Sequence, residues 1–230
     1  MIIAIMQPYL FPYIGYWQLI NVVDKFVIYD DVNFINKGFI NRNKILVQNK
    51  PHQFTLELVN ASQNKLINQI QIGNNSKKIL LTIEQSYKKS PFFNIVFPLI
   101  KDVLNQNEKN LSKFIGYSLK KISDYFNIET NFIYSSEIKK NNHLKKQDKI
   151  IDICQTLNAT HYINPINGKA LYDRKLFTEN GIKLNFIQTR SFKYQQFNNE
   201  FTSFLSIIDV MMFNNKDHIK SLLNLFEIVE

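Results

Sequence analysis

Three groups of side chains in this chain of 230 residues could do chemistry. The first runs through Gln7-Pro8-Tyr9-Leu10-Phe11-Pro12 and Tyr13-Ile14-Gly15-Tyr16, then resumes at Asp30-Asp31 and in the basic stretch Asn33 to Lys44. Phenol donors, a carboxylate and a guanidinium beside the free amides of a helix start would suit an anionic substrate. Gln7, Tyr13, Tyr16 and Asp31 are the catalytic candidates here, and Pro8, Gly15, Asn33, Lys37, Arg42 and Lys44 the substrate-binding ones. Arginine occurs at only Arg42, Arg174 and Arg190 among 28 basic residues, so Arg42 reads as a choice of a planar fork for phosphate or carboxylate. The competing reading of this stretch is a solvated loop. The second group is Asn164, Gly168 and Tyr172, at the end of a short apolar run, where turn chemistry competes with ligand binding. The third is Tyr194 and Gln196, beside Arg190, in a polar stretch able to meet a sugar or a phosphate; a plain surface loop competes. Ser206 and Asp209 lie three apart on an apolar helix and share a face, and Asp209 reads as a buried carboxylate that serves the fold.

The elements that must position these groups follow from apolar runs and their breaks. Ile2 to Met6 is a short apolar run that prolines end; Tyr13, Tyr16, Trp17 and Ile20 then repeat with helical spacing, and Lys25 to Tyr29 is a second strand. This is a βαβ unit, so both strands are parallel and place Gln7 to Tyr13 and Asp30-Asp31 at one carboxyl edge, where parallel sheets bind ligands. Strands are expected over 52–59 and 66–72. A helical segment follows, capped at Ser76, at Ser90-Pro91 and near Asn110-Leu111; its stripes read as core packing, with a homodimer surface as the alternative. Strands at 131–134, 160–163 and 182–187 alternate with helices at 145–157 and 169–180, the second closed by Gly181. The whole predicts a single α/β domain with a mainly parallel, Rossmann-like sheet: residues 1–75 as βαβ unit and basic loop, 76–130 helical, 131–230 a second α/β half.

The stretch QPYLFPYIGYWQLI, followed by DKFVIYDDVNF and NRNKI, resembles the opening of the WbqC-like protein family of bacterial surface-polysaccharide gene clusters. The resemblance resumes in YINPINGKALYDRKLFTENGIKLNF, in Tyr194-x-Gln196 and in LSIIDVMMFN. It implies work on O-antigen or related sugars. The layout of strand, proline loop, glycine at a helix start and acid-ended strand is also similar to the nucleotidyltransferase and pantothenate synthetase class. That class holds ATP phosphates with a His-x-Gly-His loop, so the likeness implies ATP with Mg as cofactor. Tyrosines stand at both histidine positions here, Tyr13 and Tyr16, and carry no positive charge at neutral pH.

Composition narrows the class. A hydrophobic content of 45% with 13% aromatics builds a core rather than a disordered chain. The net charge of +9 is spread over lysines, which fits an anionic substrate and comes with no nucleic-acid motif. Cys154 is the lone cysteine and reads as a buried inert thiol; the four histidines lie far apart, so no metal site is expected. The uncharged start is broken by prolines and amides, which reads as core, with neither membrane span nor signal; a cytoplasmic location is expected. The family resemblance, more than composition, implies an enzyme that modifies a nucleotide-linked amino sugar by acyl or aminoacyl transfer, with ATP as a candidate co-substrate. A non-catalytic binding or scaffold protein and a glycosyltransferase stay open as alternatives.

Overall fold

The computed structural model describes residues 1–197 and 200–230. β1 (Ile2–Met6), α1 (Ile14–Val22) and β2 (Lys25–Ile28) form the parallel unit, with Met6 opposite Ile28. A hairpin of β3 (Arg42–Val47) and β4 (Lys50–Thr55) follows, then a small ladder of β5 (Leu58–Val59) and β6 (Gln71–Ile72). Three helices come next, α2 (Ser76–Tyr87), α3 (Phe93–Asn105) and α4 (Leu111–Phe126). The chain then runs through β7 (Asn131–Tyr134), α5 (Lys146–Thr156), β8 (His161–Pro165), α6 (Arg174–Glu179) and β9 (Lys183–Thr189). It closes with α7 (Ile207–Phe213), α8 (Lys216–Leu223) and β10 (Phe226–Val229). The main sheet has the order β10-β9-β8-β1-β2-β7 and is parallel except where β10 runs against β9.

This is a Rossmann-like α/β fold. From β1 the chain winds one way through β2 to β7, then returns to lay β8 on the other side of β1. The order reverses between β1 and β8, which makes their carboxyl ends the crevice of the sheet. One face packs Ile3, Ile5 and Val27 against Ile150, Cys154 and Phe177 of α5 and α6. The other packs Ala4, Phe26 and Ile28 against α1, α4, α7 and α8. Trp17 and Ile20 of α1 have no exposed surface; full burial of such side chains stabilises by roughly 1.5–3 kcal/mol each. Gln18, polar yet wholly buried in the same helix, donates to the carbonyls of Leu222 (2.7 Å) and Leu225 (3.1 Å) and accepts from Thr189 Oγ1 (2.7 Å). It ties α1 to the C-terminal elements without an unpaired polar atom. The stripes of α2 to α4 pack inward through Ile79, Ile83, Val96, Ile100 and Leu119.

Several local expectations are corrected. The basic loop ends at Asn41, because Arg42 to Val47 pairs with β4. The strand expected over 66–72 is a 3-10 turn at Ile67–Gln69 plus two strand residues: Gln69 Oε1 accepts from the Leu66 amide (3.1 Å), a local bond that competes with a ladder. The 169–180 helix is split between a 3-10 segment at Ile166–Leu171 and α6. Ser206 is not a helical residue sharing a face with Asp209; it caps α7, accepting from the Ile208 amide.

Candidate functional site at the carboxyl edge

The proline loop after β1 is held by bonds from distant parts of the chain. Phe11 has a left-handed backbone (φ 46°), a strained state for a bulky residue. Its carbonyl accepts from Asn43 Nδ2 (2.7 Å) and Ser206 Oγ (2.8 Å), and the Pro12 carbonyl accepts from Trp17 Nε1 (3.0 Å) and the Ile207 amide (3.0 Å). These anchors fix where α1 begins. Tyr13 occupies its N-cap position without a side-chain cap, so the first turn offers amides and the positive end of the helix dipole. The ring of Tyr13 lies over Gly15, where any β-carbon would collide with it.

Beside that helix start lies a cavity of about 500 Å³, inside the range of small-molecule sites. Tyr13 and Ile14 form one wall, and residues 189–194 and 201–205 with Val210 form the rest. Its aromatic rings pack on one another: Tyr194 meets Phe201 at 5.1 Å between centroids and stacks on Phe192 at 6.2 Å, while Tyr13 faces Phe204 at 6.4 Å. Phe204 is 80% exposed and left-handed (φ 57°), so a large apolar side chain is held out in a strained pose at the mouth of the cavity. Arg190 and Lys193 supply the charge. Arg190 pairs with Glu227 (2.9 Å); Lys193 has no ion pair among the described residues. No carboxylate or imidazole lines the cavity among the described residues. Burial raises Tyr13 above the ordinary phenol value, and burial with the nearby Asp209 carboxylate raises Tyr194. Both phenols therefore keep their protons and act as donors.

Asp209 anchors this loop. It is fully buried, and its Oδ1 accepts from Tyr194 OH (2.6 Å) and Gln196 Nε2 (2.6 Å), while Oδ2 accepts from Tyr87 OH (2.7 Å). Gln196 also accepts from the Thr202 amide (2.7 Å), closing the loop on itself, and Tyr87 OH accepts from the Leu46 amide (2.9 Å). Burial pushes the Asp209 carboxyl up, and the bonds from Tyr194, Tyr87 and Gln196 only partly offset this.

A second constellation sits beyond β2. Asp31 Oδ2 is bonded by Lys140 Nζ (2.8 Å) and Lys149 Nζ (3.1 Å), both ammonium groups lying deep in the protein. Burial alone would raise Asp31, but the two lysines outweigh it and hold the carboxyl below the ordinary value. Next to it, Asn164 Nδ2 donates to Tyr162 OH (2.7 Å), and the Tyr162 and Tyr172 hydroxyls lie 3.1 Å apart. Gly168 leaves room for the Asn164 side chain.

The residues named from sequence are thus brought together only in part. Tyr13 and Tyr194 share the aromatic cavity, and Gln196 lies behind it on Asp209. Tyr16 is buried and donates to the Gln7 carbonyl (2.8 Å), with Pro8 buried beside it. Asp31 faces α5, and Asn164, Gly168 and Tyr172 form the neighbouring cluster. Arg42 and Lys37 line a separate depression of about 250 Å³, where Arg42 Nε donates to the Gly38 carbonyl (2.8 Å). Asn33 is exposed and bridges to Leu66, and Lys44 is exposed on β3. Sequence reasoning missed Phe192, Phe201 and Phe204 as walls, and Lys140 and Lys149 as partners of Asp31. The available signal was four phenylalanines within 192–204 with no helix or strand pattern to use them.

The family model for the WbqC-like protein family matches residues 7–221. The chain belongs to the WbqC-like family. A family relative, "Uncharacterized protein Rv1507c" from Mycobacterium tuberculosis (strain ATCC 25618 / H37Rv), is 25% identical over 214 residues, covering 91% of this chain and 92% of its own. No solved structure matches. The family match therefore spans the proline loop, the aromatic loop and Asp209 alike. Among the described residues of this WbqC-like chain, no helix is long and apolar enough to cross a membrane.

The residues do not reproduce the His-x-Gly-His phosphate loop. At the positions of the phosphate-holding histidines, Tyr16 is spent on the Gln7 carbonyl and Tyr13 fills the space over Gly15. Among the described residues no cluster of three or more His, Cys, Asp or Glu side chains is placed to hold a metal ion.

Proposed function

We propose that this WbqC-like chain is a cytoplasmic enzyme that binds a nucleotide-linked amino sugar in the aromatic cavity and converts its amine to an amide during surface-polysaccharide synthesis. The observation that carries this reading is the cavity itself: Lys193, Arg190 and the uncapped α1 terminus for a diphosphate, beside aromatic faces for a base and sugar rings. In the reaction the amine nitrogen attacks the carbonyl carbon of an activated acyl donor. The new C–N bond forms, the donor's leaving group departs with its electron pair, and the amine gives up a proton. The protonated phenol of Tyr13 donates a hydrogen bond to the carbonyl oxygen as charge builds on it, while Tyr194, whose one hydrogen goes to Asp209, serves as an aromatic wall. Incubation with nucleotide-linked amino sugars, activated acyl donors, ATP and amino acids, read by mass, tests the reading. A sugar that gains the mass of an acyl or aminoacyl group supports it; binding without any change of mass overturns the catalytic part.

One observation favours a second reading, a binding or scaffold protein of the same pathway. The cavity lining holds no carboxylate or imidazole among the described residues, and the nearest buried carboxylate, Asp209, is fully engaged by three donors. The acceptor amine would then have to lose its proton to water or to the departing group.

A further inference from the structure

We infer that the groove along the free edge of β7 is a second binding site, for an uncharged, hydroxyl-bearing ring compound. This groove encloses about 650 Å³, more than the aromatic cavity, and shares no residue with it. β7 is the last strand of the sheet, and α4 runs beside it as the other wall. The Asn131 amide bonds inward to the Asp24 carbonyl (3.1 Å), so strand alternation turns the amides of Phe132 and Tyr134 outward along the groove.

Two hydroxyls there are unused. Ser123 belongs to the α4 wall, and its Oγ is buried without a hydrogen-bond partner. The Tyr134 hydroxyl has no partner among the described residues, and its ring is accommodated because Gly116 carries no side chain to strike it. A buried polar atom without a partner is costly and is rarely left so in a native protein, which points to a ligand that bonds to it.

The chemistry of the lining selects the ligand class. Glu108, Asp124 and Glu129 line the groove with Lys113 and Lys120, so a phosphate would meet three carboxylates against one ammonium, that of Lys120, without an ion pair among the described residues. Lys113 is already committed to Glu137 (2.6 Å) and to the face of the Tyr134 ring, 3.7 Å from its centroid. An apolar ligand would leave the Ser123 and Tyr134 hydroxyls unpaired. A polyhydroxylated ring meets both requirements: its hydroxyls donate to the carboxylates and bond the two free hydroxyls, and its ring lies against aromatic surface.

The test titrates the full chain with glucose and N-acetylglucosamine as uncharged probes, and with UDP and spermidine as charged ones. At least one uncharged probe should bind saturably. Tyr134→Phe and Ser123→Ala should each weaken it about fivefold, the loss of one neutral hydrogen bond. Ser123→Ala removes a buried unpaired hydroxyl, so its melting temperature should equal or exceed the parent's. Lys193→Ala should leave the uncharged probe unaffected and weaken UDP alone, which separates this site from the nucleotide reading. The inference is overturned if only the charged probes bind, if none binds, or if the uncharged probe binds both groove variants as tightly as the parent.

Discussion

Asp31 is largely buried and Asp209 wholly so, both at candidate sites, and the protein meets their charge in opposite ways. Asp31 meets two ammonium groups, so its surroundings carry one more positive charge than negative. Asp209 meets two phenols and an amide, all neutral. The first carboxyl is held below its ordinary value and the second above it. Cationic partners make a carboxylate indispensable to the charges around it, whereas neutral donors make it an organiser of geometry. Asp31 thus locks α5 and the end of β7 to the sheet, while Asp209 shapes the loop that walls the aromatic cavity.

The largest effect that separates them is on stability. Asp31→Ala leaves two buried lysines facing each other and should cost about 3–5 kcal/mol in urea unfolding. Asp209→Asn keeps the shape but exchanges one acceptor oxygen for a donor, so it should cost less, about 1–3 kcal/mol. Equal losses would remove the distinction between charged and neutral partners.

Acid dependence sharpens the same contrast. The ordinary carboxyl value is 3.8, and Asp31 lies below it when folded, so its contribution is present above about pH 4 and is lost as pH falls through the folded value. Asp209 lies above 3.8 when folded, so its contribution is present below that pH and is lost as pH rises through the folded value. Unfolding free energies measured from pH 2 to 7 (a window bracketing the ordinary carboxylate range) should show Asp31→Asn flattening the acid limb. Asp209→Asn should flatten the decline above about pH 4. Slopes of the same sign for both would contradict the assigned environments.

The smallest effect concerns Arg42. Its guanidinium serves the Gly38 carbonyl in a separate depression, so Arg42→Lys should change nucleotide affinity by less than about twofold, which calorimetry resolves.

The parallel βαβ opening was legible because Ile2–Met6 and Lys25–Ile28 are apolar runs split by prolines and a helical period. Asp209 was legible as buried from its apolar neighbours, though not that Tyr87, 122 residues away, would bond it. The β3–β4 hairpin was half hidden: Arg42-Asn43-Lys44 reads as a polar loop, yet Asn43 is buried because its amide is spent on the carbonyls of Leu10 and Phe11. The walls of the cavity were hidden for the same reason. Phe192, Phe201 and Phe204 follow no helix or strand period, since a long loop folded around one carboxylate places them.

The central claim is that the aromatic cavity binds a nucleotide-linked sugar through its free cation and its exposed ring. Calorimetric titration of a UDP-linked amino sugar into the parent, Lys193→Ala and Phe204→Ala chains tests it most directly. Saturable binding to the parent, weakened about tenfold by Lys193→Ala and less by Phe204→Ala, is the predicted result. No binding to the parent, or equal affinity for all three chains, would contradict it.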